Sequence, residues 1–507
     1  MWFSKKDEYR LLENLSYLQK TKLVEIHLIK KVNCIPNMAS FCNKLTFCQQ
    51  LIFLELNLKD NQINAPDIQS LSNLLKRFTN LQKIGLSLKR NKIDAQCIKF
   101  LVEAFQNCKN LSDITLKLSQ NSRLDKKALQ NLSQGLAKCT NLTRLYLQFK
   151  NNRLFNDNLL EEFSQGIQKC KNLQSFNIQL NSTQITFAGL EKLTFFLQQC
   201  LLLESLEIGS ENNIQSEQSC KLLAVNLGQL SKLKNLKINF GYCLISQENL
   251  EDLAREFRNL QNLTYLNLNL LRCRRTIDAQ GVFNLFSYLL DCLELQQLDL
   301  NFQESIIGDM TIDSQLISFS KLKTLNLNLQ DNNHRGKIEN FFKVLENMQN
   351  LENLNLNLSI NSQTNCLSSD ALMELGLVLK RLQHLKDLSL QLNNNFISSK
   401  DFNNLLYQLS ECFKLRSLHL GLNGVPLNTK YYFEAFNQIK NCANLQHQSL
   451  QDDSIIISNK GDNRENSQNI LQILKNIKNK FLSPIMQIMQ IKKHIQLLKQ
   501  KSNKKVR

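Results

Sequence analysis

Glycine and proline are scarce in this chain, 14 and 4 of 507 residues. So little turn-forming material excludes a loop-rich enzyme of this size and, equally, a glycine- or proline-rich disordered protein. No apolar run approaches the roughly 20 residues that a bilayer-spanning helix needs. The opening MWFSKKDEYRLLENLSYLQK lacks the basic-then-apolar plan of a secretory leader, so an intracellular chain is expected, cytoplasmic first, with the nucleus left open. The fifteen cysteines are an odd total, include no CxxC pair, and argue against a disulfide framework.

Catalytic signatures are missing as well. The sequence contains no GxxxxGK[ST] phosphate loop, no glycine-rich loop with HRD and DFG, no HExxH and no GxSxG. Its six histidines, His27, His334, His384, His419, His447 and His494, are scattered, and none sits in a triad. The expectation is a chain with no catalytic residue, no metal, no cofactor and no small-molecule substrate.

What is present is a repeat. With 42% hydrophobic residues the chain has ample material for a core, and that material recurs at a fixed interval. Leucine anchors stand at Leu51, Leu81 and Leu111, thirty residues apart, within a series of fifteen from Leu23 to Leu445. Each anchor opens the pattern LxxLxLxL, as in Leu81, Ile84, Leu86 and Leu88, or Leu142, Leu145, Leu147 and Phe149. Its alternating tail predicts a short strand with one buried face. Ten residues after the anchor comes a small polar residue in eleven of the fifteen copies: Asn33, Asn61, Asn91, Asn121, Asn152, Asn213, Cys243, Cys273, Asn332, Asn361 and Asn395. At one register, such a residue can bond the backbone of the turn in the next copy. The remainder of each copy has helical spacing, as in Leu190, Leu193, Phe196 and Leu197. Neither element hides its apolar face alone, and stacking buries both.

LxxLxL, the Asn or Cys after the strand, and the helix entry IxxxGxxxL at Ile185, Gly189 and Leu193 and again at Ile277, Gly281 and Leu285 resemble the leucine-rich repeat proteins of the ribonuclease-inhibitor-like class. The resemblance covers residues 23 to about 450. It implies an α/β solenoid, a horseshoe of about 15 strand–helix repeats with a parallel inner sheet and outer helices. This chain departs from the family by an extra two-residue step before the Asn, lengthening the inner strand. The domain plan is an N-terminal helical cap at 1–22, the array at 23–450, a polar linker at 451–469 and a basic amphipathic tail at 470–507.

Eight cysteines share the register three residues before the anchor: Cys48, Cys108, Cys139, Cys170, Cys200, Cys292, Cys412 and Cys442. Convergence on a metal is excluded by their distribution of one per repeat, roughly 5 Å or more apart. Other copies place Phe78, Leu230, Leu260, Phe319, Met348 and Leu382 there, so these thiols are expected to pack as small hydrophobes at helix ends.

Residues two apart in a strand share a face. The leucines of "LKTLNLNLQDNN" point inward and its asparagines outward, onto what the resemblance implies is the concave side. The candidate partner-binding residues there are Asn267, Asn269, Asn301, Asn326, Asn328, Asn355 and Asn357. Earlier copies offer Lys59, Lys89, Lys117, Tyr146, Gln148 and Lys150 instead. The strip suits a protein partner held by hydrogen bonds; the alternative is an amide ladder that merely stabilises the sheet. Some proteins of this class activate small GTPases, and Arg272, Arg274 and Arg275 of "LRCRRTID" would be the arginines for that role; a basic tail in place of the acidic one of the Ran-activating relatives, and the commonness of arginine clusters in solvated loops, speak against it. An F-box adaptor does not fit the twenty or so residues ahead of Leu23.

From Asn466 to Arg507 there are ten Lys or Arg and no Asp or Glu, supplying +10 of the formal +18. Ile470, Ile473, Leu474, Ile477 and Phe481 share one helical face. Lys475, Lys478 and Lys480 lie alongside, and Lys492 and Lys493 follow Pro484. Such a segment can cap the last repeat, or contact a partner groove, an anionic membrane surface or nucleic acid.

Overall fold

Alternation along each LxLxL stretch leaves one side apolar, and burial of that side against a helix fixes the strand. The computed structural model of the protein describes residues 23–27, 38–213, 220–273, 277, 279–305, 319–332, 338–360, 367–425, 447–451 and 454–458. The expected N-terminal cap, the tail, Cys442, Asn33 and Asn361 lie outside these residues. The chain divides into two units, Met1–Ile307 and Gly308–Arg507.

The first unit carries strands β1 (Leu23–His27), β2 (Phe53–Asn57), β3 (Lys83–Ser87), β4 (Asp113–Lys117), β5 (Arg144–Gln148), β6 (Ser175–Gln179), β7 (Ser205–Gly209), β8 (Asn235–Asn239), β9 (Tyr265–Asn269) and β10 (Gln297–Asn301). Each pairs in parallel with the next in chain order. The register never slips: Leu54 lies beside Ile84, Ile84 beside Ile114, and Ile114 beside Leu145. Slippage by one residue would turn every leucine to the outside, so burial enforces the register. Pairing also continues beyond the strands, through Leu58 N to Ser87 O (2.8 Å) and Leu88 N to Lys117 O (2.8 Å). This is the extra two-residue step, and its apolar residues Leu58, Leu88 and Leu118 are fully buried.

A helix lies between most successive strands, and the sequence dictates where each begins. Asp94 and Asp125 accept the N–H of Cys97 (2.9 Å) and Ala128 (2.8 Å), capping helices Ala95–Asn107 and Lys126–Leu136. Asn64, Asn156 and Thr186 cap their helices likewise. Inward helix residues such as Leu101, Phe105, Leu132 and Leu136 meet the strand leucines, all at most 1% exposed. Neighbouring helices approach closely at small residues: a Cβ on Gly135 would stand 2.2 Å from Val102 Cβ.

The second unit holds β11 (Thr324–Asn328), β12 (Asn353–Asn357), β13 (Asp387–Gln391) and β14 (Ser417–Gly421), again parallel and in register. Its end departs from expectation. Residues 454–458 fall inside the stretch read as a polar linker, yet they form β16 (Ser454–Ser458), antiparallel to both β14 and β15 (His447–Gln451). β16 therefore takes the place beside β14 that the copy anchored at Leu445 was expected to fill. Two residues separate β15 from β16, which permits only an antiparallel neighbour, whereas a parallel one needs a crossover of a dozen or more. The run Ile455, Ile456, Ile457 is strongly strand-forming.

The register asparagines act across copies, but backwards. Asn91 Nδ2 donates to Leu58 O (3.0 Å) and its Oδ1 accepts from the N–H of Asn61 and Ile63 (3.0 Å each), all in the preceding copy. Strand pairing sets the direction, because the turn in question lies beside the following strand. Cys243 and Cys273 keep the donor half, their thiols donating to Ser210 O (3.2 Å) and Phe240 O (3.3 Å). Ser305, not anticipated at this position, does the same to Leu270 O (3.0 Å).

The seven described cysteines of the other register are at most 8% exposed, as small core residues should be. Some also donate: Cys108 Sγ reaches Leu75 O (3.3 Å) and Cys292 Sγ reaches Phe257 O (3.3 Å), each at the end of the preceding helix. Burial drives the Cys108 thiol up to about 11 and those of Cys139, Cys170 and Cys292 up to about 12. Among the described residues, no group of three or more His, Cys, Asp or Glu is placed to hold a metal ion.

Candidate functional site: the outward strand face

Strand parity builds the site. In β9, Leu266 and Leu268 are buried while Tyr265, Asn267 and Asn269 are partly exposed on the opposite face. The same alternation runs through β8, β10 and β11. Outward side chains thus form rows, each residue flanked by its equivalents about 4.8 Å away on adjacent strands.

In the first unit, Asn267, Asn269 and Asn301 all lie on this face, and each has a defined partner. Asn267 Nδ2 donates to Asp299 Oδ2 (3.3 Å), which also accepts the Tyr265 hydroxyl (2.5 Å). Burial, and then the Asp299 carboxylate, raise the Tyr265 phenol to about 12. Asn269 Nδ2 donates to Asn239 Oδ1 (3.0 Å), and Asn269 Oδ1 accepts Leu271 N–H (3.1 Å). Asn301 Oδ1 accepts Gln303 N–H (3.1 Å). In the second unit, Asn328 and Asn357 make the same local turn with Gln330 and Ser359, at 3.0 and 3.1 Å. Asn326 is half-buried in the middle row, and its neighbour Asn355 is exposed.

The asparagines thus divide by row. Those at the strand ends, Asn269, Asn301, Asn328 and Asn357, hold the backbone two residues on. Those at the strand centres, Asn267, Asn326 and Asn355, project from the sheet.

Charge is segregated along the first unit. Backbone pairing aligns Lys59, Lys89, Ser119 and Lys150 on successive copies: Asp60 N donates to Lys89 O (3.0 Å), Arg90 N to Ser119 O (3.0 Å) and Gln120 N to Lys150 O (3.1 Å). Lys117 stands one outward position before Ser119. Burial, followed by the charges of Lys59, Arg90 and Lys150, holds the Lys89 ammonium below its ordinary value. Farther along, Glu207 accepts from Gln179 (2.8 Å), and Glu211 accepts from Asn181 (3.0 Å) and Asn239 (3.1 Å). Ser119 in this row is buried and its hydroxyl has no hydrogen-bond partner; its register is the only mark it carries in the sequence.

Arg272 forms an ion pair with Glu304 (2.6 Å) and lies over the Tyr242 ring, 5.4 Å from its centroid. Arg274, Arg275 and the tail residues Lys475, Lys478, Lys480, Lys492 and Lys493 lie outside the described residues. Among the described residues, no helix is long and apolar enough to cross a membrane.

No family model matches the chain. It is 23% identical over 289 residues to telomerase component p95 of Tetrahymena thermophila, a match covering 50% of this chain and 33% of that protein. The chain therefore spans about a third of the length of that relative. Among solved structures, the TLR13–ssRNA13 complex superposes with a TM-score of 0.43 at 16% identity, covering 87% of this chain and 65% of that one. An internalin (inlF) from Listeria monocytogenes does so with a TM-score of 0.34 at 17% identity, covering 69% and 93%. On the evidence of its thirty-residue period, its parallel strands with intervening helices and its asparagine contacts between copies, the chain has a leucine-rich-repeat fold.

Proposed function

We propose that the chain is a non-catalytic scaffold of the ribonuclease-inhibitor-like type, holding a protein partner on the outward face of its strands. The observation that carries this is preorganisation. Tyr265, Asn267 and Asp299 are bonded to one another before any partner arrives, so little side-chain entropy remains to be lost on association. In the second unit, Asn326 and Asn355 stand side by side on the outward strand face. The basic tail is a second contact, and the cytoplasm is the setting.

A second reading is nucleic-acid binding. It is favoured by the lysines of the first unit and by the name of the relative, a telomerase component, and it moves the setting to the nucleus.

The test is site-specific crosslinking of the full chain in cell extract, with a photoreactive amino acid placed at Asn355, at Asn267, or at the exposed helix residue Lys192. Partner adducts from Asn355 and Asn267 but not from Lys192 are expected. Equal adducts from all three, or binding abolished solely by removing residues 466–507, would overturn the reading.

A further inference from the structure

We infer that the row Lys59, Lys89, Ser119 and Lys150, with Lys117 beside it, binds the sugar-phosphate backbone of a single nucleic-acid strand. This deepens the second reading above and rests on the outward face being the working surface.

The row carries an excess of positive charge. Asp60, the carboxylate next to it in sequence, is paired with Arg90 (3.4 Å). Asp113 is taken up by Arg144 (2.9 Å) and Lys83 (3.7 Å), leaving Glu55 as the outward carboxylate on β2. All four lysines are partly buried, and Lys89 lies within reach of the charges of Lys59 and Lys150.

The row also contains an orphan. Ser119 is 1% exposed, and its hydroxyl has no hydrogen-bond partner, although it lies between the lysine-bearing copies. A buried polar group left unpaired costs about 1–3 kcal/mol. Once the side chains covering it move aside, that hydroxyl would donate to an anionic oxygen seated between Lys89 and Lys150.

Spacing selects the ligand. From the copy of Lys59 to that of Lys150 is three strand separations, about 14 Å. Over that distance a stacked strand carries about four phosphates, one per ~3.4 Å of rise, against three lysines in the row and Lys117 one outward position away. Lysines act as point charges for phosphates, whereas bidentate carboxylate recognition calls for arginine. Arg90 is already engaged, so an acidic peptide is the poorer match. Tyr146, half-buried on the strand next to Lys117, supplies a ring for a base to stack on, a contact that a duplex does not offer.

The experiment titrates the full chain against a labelled 20-nucleotide oligodeoxythymidylate, a duplex of equal length and a polyglutamate peptide at several salt concentrations. The oligonucleotide should bind in preference to both, with log K falling against log salt with a slope of about −3, the value for four contacts on a single strand. The Lys89→Ala/Lys150→Ala variant should weaken binding about tenfold at 0.15 M salt and halve the slope. Ser119→Ala should weaken it a few-fold with the slope unchanged, and Lys89→Arg should retain it. Unaltered melting of each variant secures the comparison. Preference for polyglutamate or duplex, no binding, or loss only with Lys475→Gln/Lys478→Gln/Lys480→Gln would overturn the assignment. If the oligonucleotide fails while crosslinking from Asn267 and Asn355 persists, only the lysine site falls; if crosslinking fails too, the outward face falls with it.

Discussion

The side-chain amide of Asn121 donates to the carbonyl of Leu88, 3.0 Å away and one copy back along the chain, while its Oδ1 accepts from the backbone N–H of Asn91 at 3.0 Å. One residue thereby satisfies both a donor and an acceptor that the turn between strand and helix leaves inside the protein. Asn121→Ala should cost about 2–4 kcal/mol, the penalty for two or more buried groups left unpaired. Asn121→Cys should cost less, because Cys243 and Cys273 perform the donor half elsewhere. Hydrogen exchange at the Asn91 and Ile93 amides is the measurement; unchanged protection in the alanine variant would refute a bridging role.

The residue just before this register is left-handed in copy after copy: Asp60, Arg90, Gln120, Asn151, Ser182, Asn212, Tyr242 and Arg272 have φ of 55–66°. Gly424 is the one glycine there among the described residues. The conformation costs a non-glycine residue about 1–2 kcal/mol, part of which glycine returns through its greater freedom when unfolded. Gln120→Gly should therefore raise stability by about 0.5 kcal/mol, and Gln120→Val should lower it by more than 1 kcal/mol. Urea unfolding of the two variants should displace the midpoint in opposite directions.

Close helix approach makes a third expectation. An added methyl on Gly135 would meet Val102 Cβ at 2.2 Å and Cγ2 at 2.6 Å. Gly135→Ala should destabilise by about 1–3 kcal/mol through overpacking, and Val102→Ala should recover part of the loss in the double variant. Additive effects in a double-mutant cycle would mean that the two helices do not touch there.

The buried thiols set an alkaline limit. Cys108, Cys139, Cys170 and Cys292 remain protonated in the fold up to about 11 or 12, whereas an unfolded thiol ionises near 8.5. Between those values the folded chain binds more protons than the unfolded one, so stability is intact below the unfolded value and falls as pH rises. The slope is about 1.4 kcal/mol per pH unit for each such thiol. Melting temperature should drop steeply from pH 9 to 11, and Cys170→Ala should flatten the slope. These thiols should also resist alkylation at pH 8 until the chain unfolds.

Much of this was legible beforehand, for a local reason. The step from Leu325 to Leu327 assigns inside and outside without knowledge of any neighbour, and Cys108 is marked as core by Phe78 at the same position one copy earlier. Lateral facts were not legible in the same way. Asn91 was expected to serve the following copy and serves the preceding one, because its partner is set by which strand lies beside its turn. Composition alone marks 454–458 as polar linker, because polar residues surround Ile455–Ile457; pairing with β14 and β15 makes it a strand.

By itself the sequence determined the unit: a thirty-residue period, a strand whose leucines face one way, a helix to cover them, and a small polar residue at the bend. These follow from the two-residue period of strands and the need to bury apolar surface, both of which act within a few residues. Only the tertiary structure decided that Lys59, Lys89 and Lys150 share a row with a partnerless Ser119 hydroxyl, and that Asn267 is joined to Tyr265 through Asp299. Those neighbours lie some thirty or more residues apart along the chain. Parallel pairing brings them side by side, and the pattern of a single copy carries no record of what the adjacent copy places next to it.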